Sequence, residues 1–288
     1  MVNVRPKKRL GQHFLIDKHV LKHILSAAEL SPSDVVIEIG PGLGILTKEL
    51  AKQTAKVIAV EIDAEIVSIL GKKMSPFANA KVIHDDILKI SPEQLLEVGT
   101  DPKVRPYSAS QNYKVVANLP YYITSPVLRH FLEASAKPSM MVVMVQKEVG
   151  EAVVAAPGKM SLLSLRVQFY SKPTLIAYVP ARSFYPPPKV DSVILRLDVY
   201  PKPLVEVSDA ASFFDIISCG FCSPRKQLRN SLAQALGMPP SQVAPLLEKT
   251  GVEAQRRAET LDLEEWKKLW ETFAPLAKGK NVNPLCTS

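Results

Sequence analysis

The stretch from Val115 to Tyr122, VVANLPYY, combines residue types that suit the binding of a planar amine. A β-branched run, typical of a buried strand, ends in Asn118, Leu119, Pro120 and Tyr121. Pro120 fixes its own φ and keeps Leu119 extended, so the Leu119 carbonyl points in a defined direction. The Asn118 side-chain oxygen is a second acceptor, and Tyr121 offers a flat face for stacking. Two acceptors beside an aromatic face fit a ring that carries an NH2 group, adenine most simply.

Taken alone, Asn-x-Pro more often marks a strand end whose Asn caps a turn, so the interpretation depends on the surrounding elements. One of these is the strand VVIEIG, followed by a loop with Gly40, Gly42 and Gly44 and a helical pattern from Ile45 to Gln53. Such a loop lets the backbone approach a nucleotide cofactor, and the helix start supplies free N–H groups. The loop reads G-x-G-x-G, not the dinucleotide G-x-G-x-x-G, and Glu38 precedes it. An acid there disfavours pyrophosphate and suits S-adenosylmethionine, which carries an amine and a sulfonium but no phosphate.

Acidic residues also follow the next two predicted strands. KVIAVEID ends in Glu61, 21 positions after Gly40, where a carboxylate can accept both ribose hydroxyls of an adenosine. KVIH runs into Asp85 and Asp86, and one of these carboxylates can accept from the adenine amine of a cofactor. Each acid taken singly is more often a surface residue or a helix cap. Acids at successive strand ends together indicate a ligand site.

The remaining pattern predicts an α/β fold. After the strand that delivers Asn118, Thr124 or Ser125 can cap a helix, and MMVVMV, TLIAYV and SVILRLDV are further strands. SLLSLRVQFY is typical of a helix, although its apolar run also fits a strand. The segment 92–112 is polar and is predicted to be a loop.

Two segments have alternative interpretations. The basic arm contains Lys7 and His13, and either it is a solvated tail before a helix capped by Asp17, or it lies near a polyanion with a polar turn over a ligand. Phe184 comes just before the prolines 186–188, which form a stiff rod. The ring is therefore either a core side chain or an aromatic presented to a ligand.

The residue pattern changes near Lys202, from strands to helical periodicity, so a domain boundary is predicted there. Four helices are expected, at about 210–219, 225–236, 241–249 and 263–273. This part carries basic residues that either form a solvated face or meet phosphates, namely Arg225, Lys226, Arg229, Arg256 and Arg257.

Composition indicates a basic globular protein. There are 36 Lys and Arg against 28 Asp and Glu, a formal charge of +8, which favours polyanionic partners and nucleic acid first. The N-terminus has no apolar core typical of a signal peptide and no run approaches membrane-spanning length, so we expect a cytoplasmic protein without membrane contact. Three cysteines are too few for a disulfide framework, and Cys219 and Cys222, without a second pair or nearby His, are expected to be structural.

The glycine loop, the acid after the second strand and N-L-P-Y after the fourth resemble class I S-adenosylmethionine-dependent methyltransferases that act on an amino group. From end to end, the chain resembles the ribosomal RNA small-subunit (16S) adenine dimethyltransferases. The stretches that carry this resemblance are LGQHFL, EIGPGLG, VIAVEID, DDIL, VVANLPYYITSPVL, VQKEVGE, FYPPPKVDSV and FCSPRKQLRNSL. The resemblance implies a Rossmann-like methyltransferase domain, residues 1–202, with a seven-stranded, mostly parallel sheet and a basic arm, 1–16. It also implies a small all-helical domain, 203–288, that contacts RNA or the ribosomal subunit.

The resemblance also implies roles for individual residues. S-adenosylmethionine would be bound, without a metal, by His13, Leu15, Gly40, Glu61, Asp86 and Asn118. Asn118 and the carbonyl of Leu119, held by Pro120, would accept the target amine, while Tyr121 and Phe184 would stack on the two faces of the flipped adenine. The family dimethylates two adjacent adenosines in a hairpin near the 3′ end of 16S ribosomal RNA during small-subunit assembly. We expect a monomer.

Two stretches depart from the family pattern. The segment from Gln94 to Asn112 is longer than the family usually has before the fourth strand, and KMSLLSL follows Gly158 where a Tyr-Gly pair is common. Two rival functions fit much of the pattern: a macrolide-resistance type adenine methyltransferase of 23S RNA, and a ribosome-assembly or transcription factor on the same scaffold with little catalysis. N-L-P-Y with FYPPPKVDSV argues against the first, and the intact glycine loop, Glu61 and Asn118 argue against the second.

Overall fold

The computed structural model describes residues 6–97 and 112–277, which divide into two compact units. The described residues of the first unit are 6–97, 112–151 and 171–201, and those of the second are 152–170 and 202–277. The predicted helical segment beyond Lys202 therefore gains residues 152–170, which the prediction had placed in the first domain. The reason is aromatic packing within the second unit: the Phe169 ring lies 5.3 Å from that of Phe213 and 5.2 Å from that of Phe214.

Nine strands belong to the first unit. In chain order they are β1 (Phe14–Leu15), β2 (Val35–Ile39), β3 (Lys56–Glu61), β4 (Ala80–His84), β5 (Tyr113–Asn118), β6 (Met140–Gln146), β7 (Ser171–Val179), β8 (Phe184–Tyr185) and β9 (Ser192–Val199). Seven of them form one sheet in the order β4-β3-β2-β5-β6-β9-β7. The first five in this order are parallel, and β9 runs antiparallel to β6 and β7. The predicted seven-stranded, mostly parallel sheet is confirmed.

The small strands β1 and β8 form a separate antiparallel pair, with Phe14 opposite Tyr185 and Leu15 opposite Phe184. Two-residue strands carry no periodicity, so the sequence did not predict them. The pair joins the N-terminal arm to the loop before β9.

Eleven helices are described. They are α1 (Lys18–Ala28), α2 (Ile45–Gln53), α3 (Ala64–Met74), α4 (Pro92–Glu97), α5 (Thr124–Leu132), α6 (Lys147–Val153), α7 (Leu162–Tyr170), α8 (Ala210–Phe221), α9 (Leu228–Leu236), α10 (Pro240–Lys249) and α11 (Leu263–Ala277). Asp17 caps α1 as predicted, because its carboxylate accepts from the His19 and Val20 N–H groups. The buried face of α1, including Ile24, packs in a cluster with sheet residues such as Val142 and Ile194.

Two local predictions were wrong. Pro92–Glu97 is a helix within the segment predicted to be a loop, and Ser91 starts it by accepting from the Gln94 N–H at 3.2 Å; residues 98–111 lie outside the described part. Neither Thr124 nor Ser125 caps α5: its N-cap is Ile123, without a side-chain hydrogen bond. A 3₁₀ turn over Tyr121–Ile123 leads directly into this helix, so no extended capping residue precedes it.

The second unit contains α7 to α11 and, in its described residues, no strand. This confirms the predicted helical C-terminal part and resolves SLLSLRVQFY in favour of a helix. Nowhere in residues 6–97 and 112–277 is there a helix long and apolar enough to cross a membrane.

Candidate active site

A cavity of about 310 Å³ lies where the ends of β2, β3, β4 and β5 meet the N-terminal arm. Because β3 and β5 flank β2 on opposite sides, the strand order reverses here, and such a switch point is where open α/β sheets bind ligands. Nine of the ten predicted site residues line the cavity: His13, Leu15, Gly40, Glu61, Asp86, Asn118, Leu119, Pro120 and Tyr121.

Among the described residues that line the cavity, acidic side chains occur without basic ones of the Lys or Arg type. Glu38, Glu61, Asp85 and Asp86 contribute carboxylates, and no Lys or Arg is among the described lining residues. Phosphate sites need positive charge or clustered N–H donors, whereas carboxylates attract cations. The cavity therefore suits a positively charged ligand without phosphate, as Glu38 and its loop had predicted.

Glu61 is held by backbone groups on two sides. Its Oε1 accepts from the Asp63 N–H at 3.0 Å, and its Oε2 accepts from the Gly42 N–H at 3.4 Å. Burial raises the pKa of Glu61 above its ordinary value, although these N–H groups act in the opposite direction. The carboxylate is fixed at the end of β3 with lone pairs left for a ligand.

Glu38 is the most buried acid of the site. Only 2% of its surface is exposed, and among the described residues its Oε2 has no hydrogen-bond partner. Burial, together with the nearby Glu61 carboxylate, raises the pKa of Glu38 to about 8, although the Thr47 hydroxyl acts in the opposite direction. A buried side-chain oxygen without a hydrogen-bond partner destabilises the folded state. A cationic or hydrogen-bond donor group of a ligand would supply the missing partner.

The glycine loop brings backbone close to the other walls. Gly40 and Gly42 have φ values of 62° and 52°, in the left-handed region that favours glycine. A Cβ on Gly42 would lie 3.0 Å from the Phe14 ring, and one on Gly40 would lie 3.6 Å from Pro120. Gly42 therefore allows the arm to approach the loop closely, whereas Gly40 is required by its backbone conformation alone.

Asn118 and Leu119 are oriented by the groups around them. The Asn118 Nδ2 donates to the His13 carbonyl at 3.1 Å, so the side-chain oxygen remains as the acceptor for a ligand. The Leu119 N–H donates to the Met144 carbonyl at 3.1 Å, and Pro120 has φ −58°. The peptide that carries the Leu119 carbonyl is thus fixed between a strand and a proline.

Tyr121 is half-buried and held at both ends. Its hydroxyl lies 2.7 Å from the Oγ of Ser192, a fully buried residue on β9, and its ring is stacked on that of His13 at 5.9 Å between centroids. Burial raises the pKa of the Tyr121 hydroxyl above its ordinary value. The phenol therefore stays neutral, and its ring is a fixed wall of the cavity.

Phe184 is the predicted site residue that the structure places elsewhere. It is 2% exposed, does not line the cavity, and packs in the buried cluster that includes Leu15, Val179 and Ile194. Of the two interpretations, the structure thus supports the core side chain. Contact with a base would therefore require the Phe184 ring to leave this cluster.

Asp86 occupies the predicted place after β4. Its Oδ1 accepts from the Leu88 N–H at 3.1 Å, which fixes the carboxylate at the cavity wall. Asp85 accepts from the Asp86 N–H at 2.7 Å and so orders the same turn.

Sequence reasoning missed two residues that organise the site, Asp63 and Ser192. Asp63 binds Lys7 and Gln12 of the arm, and Ser192 binds Tyr121. Asp63 is the last residue of VIAVEID and Ser192 lies within FYPPPKVDSV, so the only available signal was membership of segments already singled out.

The basic residues of the second unit differ in their availability. Arg256 forms a two-fold ion pair with Glu265, so this guanidinium is used within the fold. Lys226 donates to Gln234 at 3.2 Å, and both Lys226 and Arg225 are exposed.

The sheet, the glycine loop after β2 and the acid at the end of β3 define a Rossmann-like methyltransferase. The chain belongs to the ribosomal RNA adenine dimethylase family, whose model matches residues 3–273. This class implies S-adenosylmethionine as the methyl donor.

Relatives support this membership over most of the chain. The chain is 51% identical to Ribosomal RNA small subunit methyltransferase A of Dehalococcoides mccartyi, over 92% of this chain and 88% of the relative. It is 40% identical to the protein of the same name from Moorella thermoacetica, over 93% and 92%. Among solved structures, it is similar to a dimethyladenosine transferase from Plasmodium falciparum (TM-score 0.71, 26% identity, 92% and 98% covered) and to the 23S rRNA methyltransferase ErmE (0.68, 28%, 90% and 98%).

Proposed function

We propose that this protein transfers methyl groups from S-adenosylmethionine to the exocyclic amines of two adjacent adenosines in the 3′-terminal hairpin of 16S ribosomal RNA, during small-subunit biogenesis. The observation that carries the proposal is the pair of fixed acceptors, Asn118 Oδ1 and the Leu119 carbonyl, at the wall of a carboxylate-lined cavity. The names of the relatives from Dehalococcoides mccartyi and Moorella thermoacetica support the small-subunit RNA as substrate.

The lining fits S-adenosylmethionine. Glu61 has free lone pairs for the two ribose hydroxyls, Asp86 stands where the adenine amine would be accepted, and the orphaned Glu38 oxygen suits a cationic end. His13, Leu15 and Gly40 complete the cofactor wall in this proposal. When bound, the sulfonium supplies an electrophilic methyl group.

The protein's task is then to position the amine. The nitrogen lone pair of adenine is delocalised into the ring, so the amine is a poor nucleophile. Two acceptors, Asn118 Oδ1 and the Leu119 carbonyl, favour a pyramidal nitrogen whose lone pair points at the methyl group. The proton leaves to solvent after transfer, so neither a general base nor a metal is required.

The adenine must leave its stack to reach the cavity, at a cost of about a few kcal/mol. Stacking on Tyr121 would return about 1–3 kcal/mol. The predicted second face, Phe184, is buried, so its stacking stays a prediction that requires the ring to leave the buried cluster. We also propose that the protein acts as a monomer in the cytoplasm.

Asn118→Ala tests this assignment. We expect the rate of methyl transfer to fall at least about a hundredfold, since one positioned group at the reacting atom is lost. S-adenosylmethionine should still bind when measured by calorimetry without RNA, with a loss of affinity much smaller than the loss of rate, because Glu61 and Asp86 remain. Turnover close to that of the unmodified protein would refute the proposed role of Asn118.

A further inference from the structure

Part of the N-terminal arm, residues 10–15, forms one wall of the cavity. Leu10, Gly11, Gln12 and His13 are among its lining residues. The end of the arm is fixed by the β1–β8 pair and by the Ile16 N–H, which donates to the Ser183 carbonyl at 3.0 Å. At the start of the arm, the Lys7 ammonium lies 3.4 Å from the exposed Glu65 carboxylate. The other side-chain contacts there converge on a single buried carboxylate.

That carboxylate belongs to Asp63, which is 5% exposed. Its Oδ1 accepts from the Lys7 ammonium at 2.6 Å, and its Oδ2 accepts from the Gln12 amide at 3.0 Å. Gln12 also accepts from the Lys7 backbone N–H at 2.8 Å, which closes the group. Burial would raise the pKa of Asp63, but the hydrogen bonds from Lys7 and Gln12 outweigh it and lower that pKa below its ordinary value.

The same residue contacts the cofactor side of the cavity. The Asp63 backbone N–H donates to Glu61 Oε1 at 3.0 Å. One residue therefore joins the start of the arm, through its side chain, to the proposed ribose carboxylate, through its backbone.

The arm in turn sets the orientation of Asn118. The His13 carbonyl accepts from Asn118 Nδ2 at 3.1 Å, which leaves the amide oxygen toward a ligand. Without that carbonyl, the amide could rotate and present its NH2 group, which cannot accept from an amine.

We propose that Asp63 is a positioning residue: by binding Lys7 and Gln12 it holds the arm over the cavity, and the held arm keeps the Asn118 amide in its accepting orientation. This inference rests on the proposed function. It adds that cofactor enclosure and amine acceptance depend on one ion pair outside the reacting centre.

A purely structural role for Asp63 has to be separated from this one. Its Oδ1 also accepts from the Glu65 N–H at 3.1 Å and so caps α3. Substituting Asp63 would remove both functions, so the informative changes are on the arm, at Lys7 and Gln12.

The experiment compares Lys7→Met, Gln12→Leu, the double variant and the conservative Lys7→Arg. S-adenosylmethionine affinity is measured by calorimetry without RNA, and kcat for methyl transfer is measured at saturating cofactor. We expect Lys7→Met to weaken cofactor binding about tenfold and to lower kcat as well, with Lys7→Arg close to the unmodified protein. The two single changes should be non-additive in the double variant, because both release the same arm. The matched control is Lys18→Met, an exposed lysine that does not line the cavity.

The possible outcomes distinguish a failure of the role proposed for Asp63 from a failure of the proposed function. Unchanged cofactor affinity and unchanged kcat in Lys7→Met, while the unmodified protein methylates adenosine, would overturn the role of Asp63 and leave the proposed function intact. A Lys7→Met effect confined to thermal stability, with normal affinity per folded molecule, would also overturn it. Absence of adenosine methylation by the unmodified protein would instead refute the proposed function, whatever the affinities.

Discussion

At the scale of single residues, the site concentrates acidic side chains, and burial changes the pKa of Glu38 more than that of the others. Its pKa is raised from 4.5 to about 8, so between these pH values the folded protein holds a proton that the unfolded chain releases. Stability therefore declines as pH rises through this window, because the folded state binds more protons.

This predicts a pH-dependent effect of Glu38→Gln, which keeps the shape and cannot ionise. We expect the variant to become more stable relative to the unmodified protein as pH rises from 5 to 9. The free energy of unfolding of the variant minus that of the unmodified protein should therefore increase. Urea unfolding at both pH values measures this difference. An equal difference at the two values would show that Glu38 does not carry the proposed proton.

Ser192 provides a second prediction at this scale, because its Oγ lies 2.7 Å from the Tyr121 hydroxyl. Ser192→Ala should loosen the ring and raise KM for RNA a few-fold, while S-adenosylmethionine affinity stays the same. Tyr121→Phe removes the same hydrogen bond, so combining both changes should add little. Fully additive effects on KM would contradict the idea that this bond positions the ring.

Residue types and spacing were enough to predict that Asn118, Leu119 and Glu61 line a ligand cavity, because each lies at or just after the end of a strand with a recognisable pattern. Their roles stay predictions. They were not enough for Asp63 or Ser192. The partners of these residues lie 56 positions away, at Lys7, and 71 positions away, at Tyr121, and nothing local indicates such contacts.

At the scale of elements, the glycine loop shows why three glycines stand before α2. Gly44 has φ 79°, and a Cβ there would lie 2.4 Å from the Leu70 side chain of α3. Backbone conformation and packing thus both exclude a larger residue.

We therefore expect Gly44→Ala to lower the free energy of unfolding by about 1–3 kcal/mol. Gly71→Ala is the matched control, since Gly71 lies within helix α3 and a Cβ there meets nothing within 4 Å. That change should be neutral or stabilising. Chemical denaturation of both variants compares them, and equal stability of the two would contradict the packing argument.

Long periodic elements were predictable, since strand and helix patterns extend over several residues. The helix Ile45–Gln53 begins and ends where its pattern does. The pair β1–β8 was not predictable, because it depends on contact between two residues of the arm and two that lie about 170 positions further on. The burial of Phe184, which the sequence had left open, depends on packing with equally distant residues such as Val20 and Ile24.

At the scale of the whole molecule, two charge distributions coexist. The chain carries a formal charge of +8, yet the described lining of the cavity contains four carboxylates and no Lys or Arg. A basic protein attracts RNA, and an acidic cavity selects a cationic cofactor, so the two ligands are recognised by opposite charges.

The division into two units was only partly accessible from sequence. The change of residue pattern near Lys202 is visible in the sequence. The membership of α7 in the second unit is not, because it depends on contacts among Phe169, Phe213 and Phe214. Such aromatic packing between distant segments leaves no periodic signal in either of them.

The most direct test of the central claim is to incubate the protein with labelled S-adenosylmethionine and undermethylated small or large ribosomal subunits, and then to map the modified nucleotides. We predict label in the small subunit only, as two methyl groups on the exocyclic amine of each of two adjacent adenosines in the 3′-terminal hairpin of 16S RNA. Label in the RNA of the large subunit, or no transfer to either subunit, would contradict the proposed function.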